Sequence, residues 1–109
     1  MNSNQLNIFE KIIHKIIPAT IIYETNNIIV IKDINPQANI HLLIIPKEKF
    51  NDISNIPIEK IDIIKEIFLT IQYLSNHIEN AKEYKIIINN GIKAGQTISH
   101  LHIHFLSGY

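Results

Sequence analysis

At 109 residues, with 46% apolar and 18% charged side chains, the chain has enough apolar mass for one hydrophobic core and too little length for a second, so a single domain over residues 1–109 is expected. Its ten carboxylates are balanced by ten lysines, with no arginine to clamp a phosphate bidentately, which argues against a nucleic-acid partner and leaves any anion to His, Lys or backbone N–H groups. Cysteine is absent, which excludes disulfides, thiolate metal sites and a cysteine nucleophile.

The opening Met1-Asn2-Ser3-Asn4-Gln5 lacks the charged-then-apolar order of a signal peptide, and no apolar run approaches the roughly 20 residues of a membrane span. A cytoplasmic protein with no membrane partner is expected. Ile8, Phe9, Ile12, Ile13, Ile16 and Ile17 then recur at helical spacing until Pro18, predicting a short amphipathic helix. Two β-branched runs, residues 20–25 and 28–33, flank Asn26-Asn27, a pair that tolerates a tight hairpin turn. Beyond the Asn35-Pro36 break, Ile40 to Pro46 is apolar on both faces except at His41, as a central covered strand would be. Pro57 and Glu59 suit the start of a long helix reaching to about residue 80, with Ile58, Ile61, Ile64, Ile67, Phe68, Ile71, Leu74 and Ile78 as its buried stripe. Strands at 84–89 and 99–106 follow. Their connection holds Gly91 and Gly95, and reads either as a phosphate cradle or, more simply, as a hairpin loop that needs positive φ.

The last strand carries the chemistry. His100, His102 and His104 alternate with Leu101, Ile103 and Phe105, so one strand face would be all imidazole and the other all apolar. Alternate residues on a strand lie roughly 6.6 Å apart, so the rings form a row and cannot all grip one atom. Zinc, bound by nitrogen at about 2.0–2.1 Å, could take two neighbouring rings at most, with His41 or Asp33 completing the set. Nucleophilic catalysis fits the row better. A neutral imidazole whose second nitrogen is held by a hydrogen bond can attack phosphorus, and His102, flanked on both sides, is the natural attacker. His100 and His104 are then placed to bind phosphoryl oxygens or relay a proton. Crowded imidazoles resist joint protonation, so at least one should stay neutral near pH 7. His14 and His77 fall on polar helix positions and read as structural. His41 is open between a core histidine and a site member, because the sequence does not say whether its strand borders the triad.

His100 to Leu106 resembles the His-φ-His-φ-His-φ-φ signature of the histidine triad family, in particular its nucleotide-binding, phosphoramidase-like (Hint) branch. Ile8 to Ile13, Asp33 to Ala38, His41 to Lys47 and Asn89 to Gly108 look like further blocks of that branch in the same order. The resemblance implies an α+β fold, with a five-stranded antiparallel sheet, one short N-terminal helix and one long central helix, and a homodimer. It implies hydrolysis of nucleoside 5′-phosphoramidates or aminoacyl nucleotides, with a purine nucleotide (AMP or GMP) moiety as ligand and no metal or other cofactor. His102 would form a nucleotidyl-histidine, oriented and supported by His100, His104 and His41. Asp33 matches a ribose-binding acid. Ile8, Phe9, Ile34 and Leu43 match a base and ribose pocket, and Asn89, Gly95, Gln96 and Thr97 match positions around the phosphate and leaving group. Two other readings keep the same residues: a dinucleoside polyphosphate hydrolase or nucleotidyl transferase of the same superfamily, and a nucleotide-binding regulatory protein with vestigial hydrolysis.

Overall fold

A computed structural model describes residues 5–109. Helix α1 spans Ile8–Ile13 and opens with a capping box, in which Asn7 accepts the Glu10 N–H at 2.8 Å and Glu10 accepts the Asn7 N–H at 3.1 Å. The helix stops short of the expected Ile17. Lys15, at φ 60°, turns the chain out of the helix before Pro18 can end it.

Strands β1 (Ile21–Glu24), β2 (Ile28–Lys32), β3 (Ile40–Pro46), β4 (Tyr84–Ile87) and β5 (Ile103–Ser107) form one antiparallel sheet in the order β1-β2-β3-β5-β4. The expected five-stranded α+β architecture is therefore the observed one. Strand alternation divides the sheet between two cores. Ile28, Val30, Leu42, Ile44, Ile103 and Phe105 face α2 (Asp62–His77), whereas Ile29, Ile31, Leu43 and Ile45 face α1 through Phe9 and Ile12. Every residue of β3 from His41 to Pro46 is buried, as the doubly apolar pattern required.

Three expectations change. The long helix does not begin at Pro57: Ile58–Lys60 form a separate 3₁₀ turn and α2 starts at Asp62. Its buried face is Ile63, Ile67, Thr70, Ile71 and Leu74, while Phe68 is 60% exposed and Ile58 and Ile61 are also at the surface. Within the helix the expected stripe holds at Ile67, Ile71 and Leu74, with Ile64 and Ile78 packed at its border. It fails at Phe68, and at Ile58 and Ile61, where the stripe read from residue 58 runs across the break between the 3₁₀ turn and the helix. The final strand begins at Ile103, four residues later than expected. Upstream of it the chain is held elsewhere, with the His100 N–H donating to the Ile98 carbonyl at 2.8 Å and the Leu101 N–H to that of Phe50 at 2.7 Å. Strand β4 accordingly ends at Ile87, the partner of His104, instead of Asn89. Among the described residues no helix is long and apolar enough to cross a membrane.

Candidate active site

The antiparallel register answers the question that His41 posed. Pairing of His41 with Leu106 and of Leu43 with His104 puts His41 and His104 on the same face of adjacent strands, and it is the α1 face. There a cavity of about 850 Å³ opens over the sheet. Ile8, Phe9, Asp33, Ile34, His41, Leu43, Asn89, Gly95, Thr97, His102 and His104 all line it. Ile12, Ile17, Pro18, Ala19 and Ile31 add apolar wall that carried no chemical signal in the sequence. His14 and His77 lie outside it, and His77 instead bonds the Tyr73 carbonyl at 2.9 Å within α2.

Two residues read as site members do not reach the cavity. Gln96 is buried beneath the 90–97 loop, its Oε1 accepting from the Gly91 N–H at 2.8 Å and its Nε2 donating to the carbonyls of Asn51 and Ile98. The N–H groups of Gly91, Ala94, Gly95 and Gln96 are all consumed inside that loop. Its glycines therefore serve the turn, at φ 96° each, and the simpler hairpin reading holds over the phosphate cradle. His100, at 0% exposure, lies behind the Phe9 ring, which meets it edge-on with centroids 5.7 Å apart and stands 5.0 Å from His102. The two faces expected of the run hold, with Leu101, Ile103 and Phe105 in the core under α2 and the three rings on the α1 side. Only His104 sits on β5, however, and His100 is buried behind Phe9 instead of lining the cavity.

Backbone groups assign the proton on each ring, because an N–H can only donate and a carbonyl can only accept. The His102 Nδ1 lies 2.8 Å from the His100 carbonyl, so Nδ1 carries the hydrogen and Nε2 keeps the lone pair. No buried side-chain nitrogen or oxygen among the described residues lacks a partner, so His102 Nε2, which has none, is open to the cavity that the ring lines. On the neighbouring strand the Gln37 N–H donates to His41 Nδ1 at 3.0 Å, which places the His41 hydrogen on Nε2. His41 Nε2–H donates in turn to His104 Nδ1 at 2.9 Å and lies 3.3 Å from the Asp33 carboxylate. Neutral His104 must then carry its own hydrogen on Nε2. One ring offers the cavity a lone pair and its neighbour, with centroids 5.2 Å away, offers an N–H.

Burial favours the neutral ring at two of the histidines, His104 and His100. Burial is the main cause that lowers the His104 pKa, helped by His102 and His41 and opposed by Asp33. His100 is lowered too, first by burial and then by His102 and Lys49, against the raising influence of the Pro46 carbonyl and Glu10. Asp33, His41 and His104 bring three potential ligand atoms within 4.8 Å of one another. They could hold a divalent cation, and they are a different set from the two neighbouring triad rings that the sequence suggested. Without one, the imidazole nitrogens facing each other already satisfy one another.

Asn7 is the residue that sequence reading passed over. Its Nδ2 lies 3.1 Å from His100 Nδ1, and His100 Nε2 lies 2.8 Å from the Pro46 carbonyl. The capping pattern Asn7-x-x-Glu10 was legible, but its link to a ring 93 residues away was not.

A HIT family hydrolase from Clostridium thermocellum superposes with a TM-score of 0.91 at 40% identity, over 96% of this chain and 92% of that one. An uncharacterised HIT-like protein of Rickettsia prowazekii is 43% identical over 107 residues, covering 96% of this chain and 89% of the relative. The adenylylsulfatase HINT1 of Arabidopsis thaliana is 32% identical over 108 residues, 97% of this chain and 74% of the relative. Residues 14–109 match the HIT domain, and with the triad, the sheet order and these relatives agreeing, the chain belongs to the HIT domain family.

Proposed function

We propose that this protein is a nucleotide-binding hydrolase of the phosphoramidase-like branch, cleaving nucleoside 5′-phosphoramidates or aminoacyl nucleotides through a nucleotidyl-histidine on His102. The observation that carries the reading is the His102 ring itself, whose Nδ1–H is held by the His100 carbonyl while Nε2 faces the cavity with a free lone pair. In the proposed reaction His102 Nε2 attacks the α-phosphorus. With a phosphoramidate the P–N bond breaks as the N–P bond to His102 forms, and the departing nitrogen takes a proton from water. With an aminoacyl nucleotide the P–O bond to the acyl group breaks and the amino acid leaves as its carboxylate. The Nε2–H of His104 donates to a phosphoryl oxygen, which suits a chain without arginine. Water then attacks the nucleotidyl-histidine, releasing a nucleoside monophosphate and restoring the imidazole.

The remaining assignments follow the cavity's chemistry. Phe9, Ile8, Leu43 and Ile34 supply the apolar surface for base and ribose, and Asp33 accepts from the ribose hydroxyls. Asn89 and Thr97 border the phosphate, while His100 and Gln96 act from beneath, through the backbone they support. A purine nucleotide with an AMP or GMP moiety is the proposed ligand. The name adenylylsulfatase, borne by one relative, supports an adenylyl group as the part transferred.

A homodimer is proposed as well. Strand β4 is a sheet edge that exposes Tyr84 and Ile87, with Ile88 exposed just beyond its end, and α2 exposes Phe68 and Leu69. An unpaired edge flanked by apolar side chains is a ready surface for a second copy, joined about a two-fold axis. Sedimentation at twice the chain mass is expected at micromolar concentration, and single-chain mass would overturn the assembly.

The test of function compares an adenosine 5′-phosphoramidate, its 2′-deoxy counterpart and diadenosine polyphosphates, all in EDTA. Release of AMP is expected from the ribose phosphoramidate first and from the deoxy compound more slowly. Preference for the diadenosine compounds would move the protein to the dinucleoside polyphosphate hydrolases. Tight AMP binding without turnover would make it a nucleotide-binding regulator.

A further inference from the structure

We propose that Asn7 is a positioning residue of the triad: fixed by the cap of α1, its amide holds His100 as the neutral Nε2–H tautomer and so secures the carbonyl to which His102 is bonded. The inference rests on His102 as the attacking group, and reaches it through a residue outside the cavity.

The orientation of the Asn7 amide follows from the helix it caps. Its Oδ1 is committed to the Glu10 N–H at 2.8 Å, so the atom turned toward His100 is the NH2 group. An amide NH2 donates and does not accept, so His100 Nδ1, at 3.1 Å, must be the unprotonated nitrogen. On the other side of the ring the Pro46 carbonyl, at 2.8 Å, requires a hydrogen on Nε2. One proton satisfies both bonds. A second proton, on Nδ1, would set N–H against N–H inside a site with no exposure to water.

The surroundings of the ring do not secure this state alone. Glu10 on α1 favours the charged ring, as does the Pro46 carbonyl, while Lys49 and His102 oppose it together with burial. Asn7 supplies the directional contact that selects one nitrogen. What it selects reaches the cavity by a short path. The His100 ring is tied at both nitrogens, so its own carbonyl is held in place, and that carbonyl accepts the Nδ1–H of His102 at 2.8 Å. Phe9, two residues along the same helix, packs against both rings. Helix α1 thus clamps the triad from one side, through the amide at its cap and the aromatic ring in its first turn.

The discriminating variant is Asn7→Asp. Aspartate caps a helix as well as asparagine, so the Glu10 N–H keeps its acceptor, but the NH2 beside His100 becomes a carboxylate oxygen that needs a proton donor. Nitrogen-15 spectra of the ligand-free protein should show His100 as the Nε2–H tautomer in the wild type and shifted toward imidazolium in the variant. Turnover of the phosphoramidate should fall about 10- to 100-fold, with a deeper loss below pH 7, because a tilted carbonyl misplaces the attacking ring. KM should change less than kcat, since no cavity-lining group is altered.

A residue that only capped the helix would give an aspartate variant with wild-type spectra and pH profile, and that result overturns the proposal. Shifted spectra with unchanged turnover overturn the positioning role as well. Should the aspartate variant fail to fold, Asn7→Ser keeps a cap but removes the amide NH2, its shorter hydroxyl being committed to the cap; an unaltered His100 Nδ1 signal in it has the same force. The spectra need no substrate, so the hydrolase reading fails separately: if wild type turns over nothing while the variant's His100 shifts, the clamp stands and the assigned reaction falls.

Discussion

Replacing His102 with alanine should leave a protein that folds, binds AMP and turns over nothing, with activity on an adenosine phosphoramidate reduced by about 10⁴-fold or more. The size follows from what the ring supplies. His102 offers the only bond-forming lone pair in the proposed reaction, and neither neighbour can replace it. His100 is buried behind Phe9 with both nitrogens occupied. The Nδ1 of His104 is occupied by His41 and its Nε2 carries a hydrogen. Folding should survive, because the imidazole already borders an open cavity that water can fill. Calorimetry with AMP and chromatographic assay of AMP release, both in EDTA, check the two halves of the statement. Retained turnover would remove His102 as the nucleophile, and activity restored to the wild type by added metal after exhaustive chelation would reassign Asp33, His41 and His104 to a metal centre.

The largest loss of stability is expected from Phe105→Ala, at about 3–5 kcal/mol, out of the roughly 5–15 kcal/mol that holds a typical domain together. Phe105 is 0% exposed and stacks on Tyr84 with centroids 4.8 Å apart. It sits in β5, which is paired on both sides, so the surrounding backbone has little freedom to collapse into the void. Truncating Phe68, 60% exposed on α2, should cost within about 0.5 kcal/mol in a monomeric state. Urea denaturation of both variants measures the contrast, and similar midpoints would contradict the face assigned to α2. Because His104 neighbours Phe105 on the same strand, disorder there should also reach the site.

The strands were readable because their signal is local. Alternation in the final strand states which side chains share a face, the β-branched run announces β2, and the doubly apolar β3 announces a strand covered on both sides. The triad was readable for the same reason, three like residues at the strand period. Sequence reading failed where a segment's partner decides its conformation. The hydrogen-bonding demand of Ile98 and Phe50 pulls residues 98–101 off the ladder, and the left-handed Lys15 ends α1 early. The stripe of α2 failed at its start, at Ile58 and Ile61, because the periodicity was carried across a change of helix type.

Residue order alone thus settles the element types, the apolar faces of the strands, the presence of a row of imidazoles and the absence of arginine and cysteine chemistry. Its information is periodic and short in range, and those properties depend on nothing else. Only tertiary pairing brings His41 beside His104, sends His100 behind Phe9, ties Asn7 to a ring 93 residues away and thereby assigns a proton to each imidazole. Those facts depend on which backbone donor or acceptor lies within about 3 Å of a ring nitrogen, and that is set by sheet register and loop closure, which no local pattern encodes.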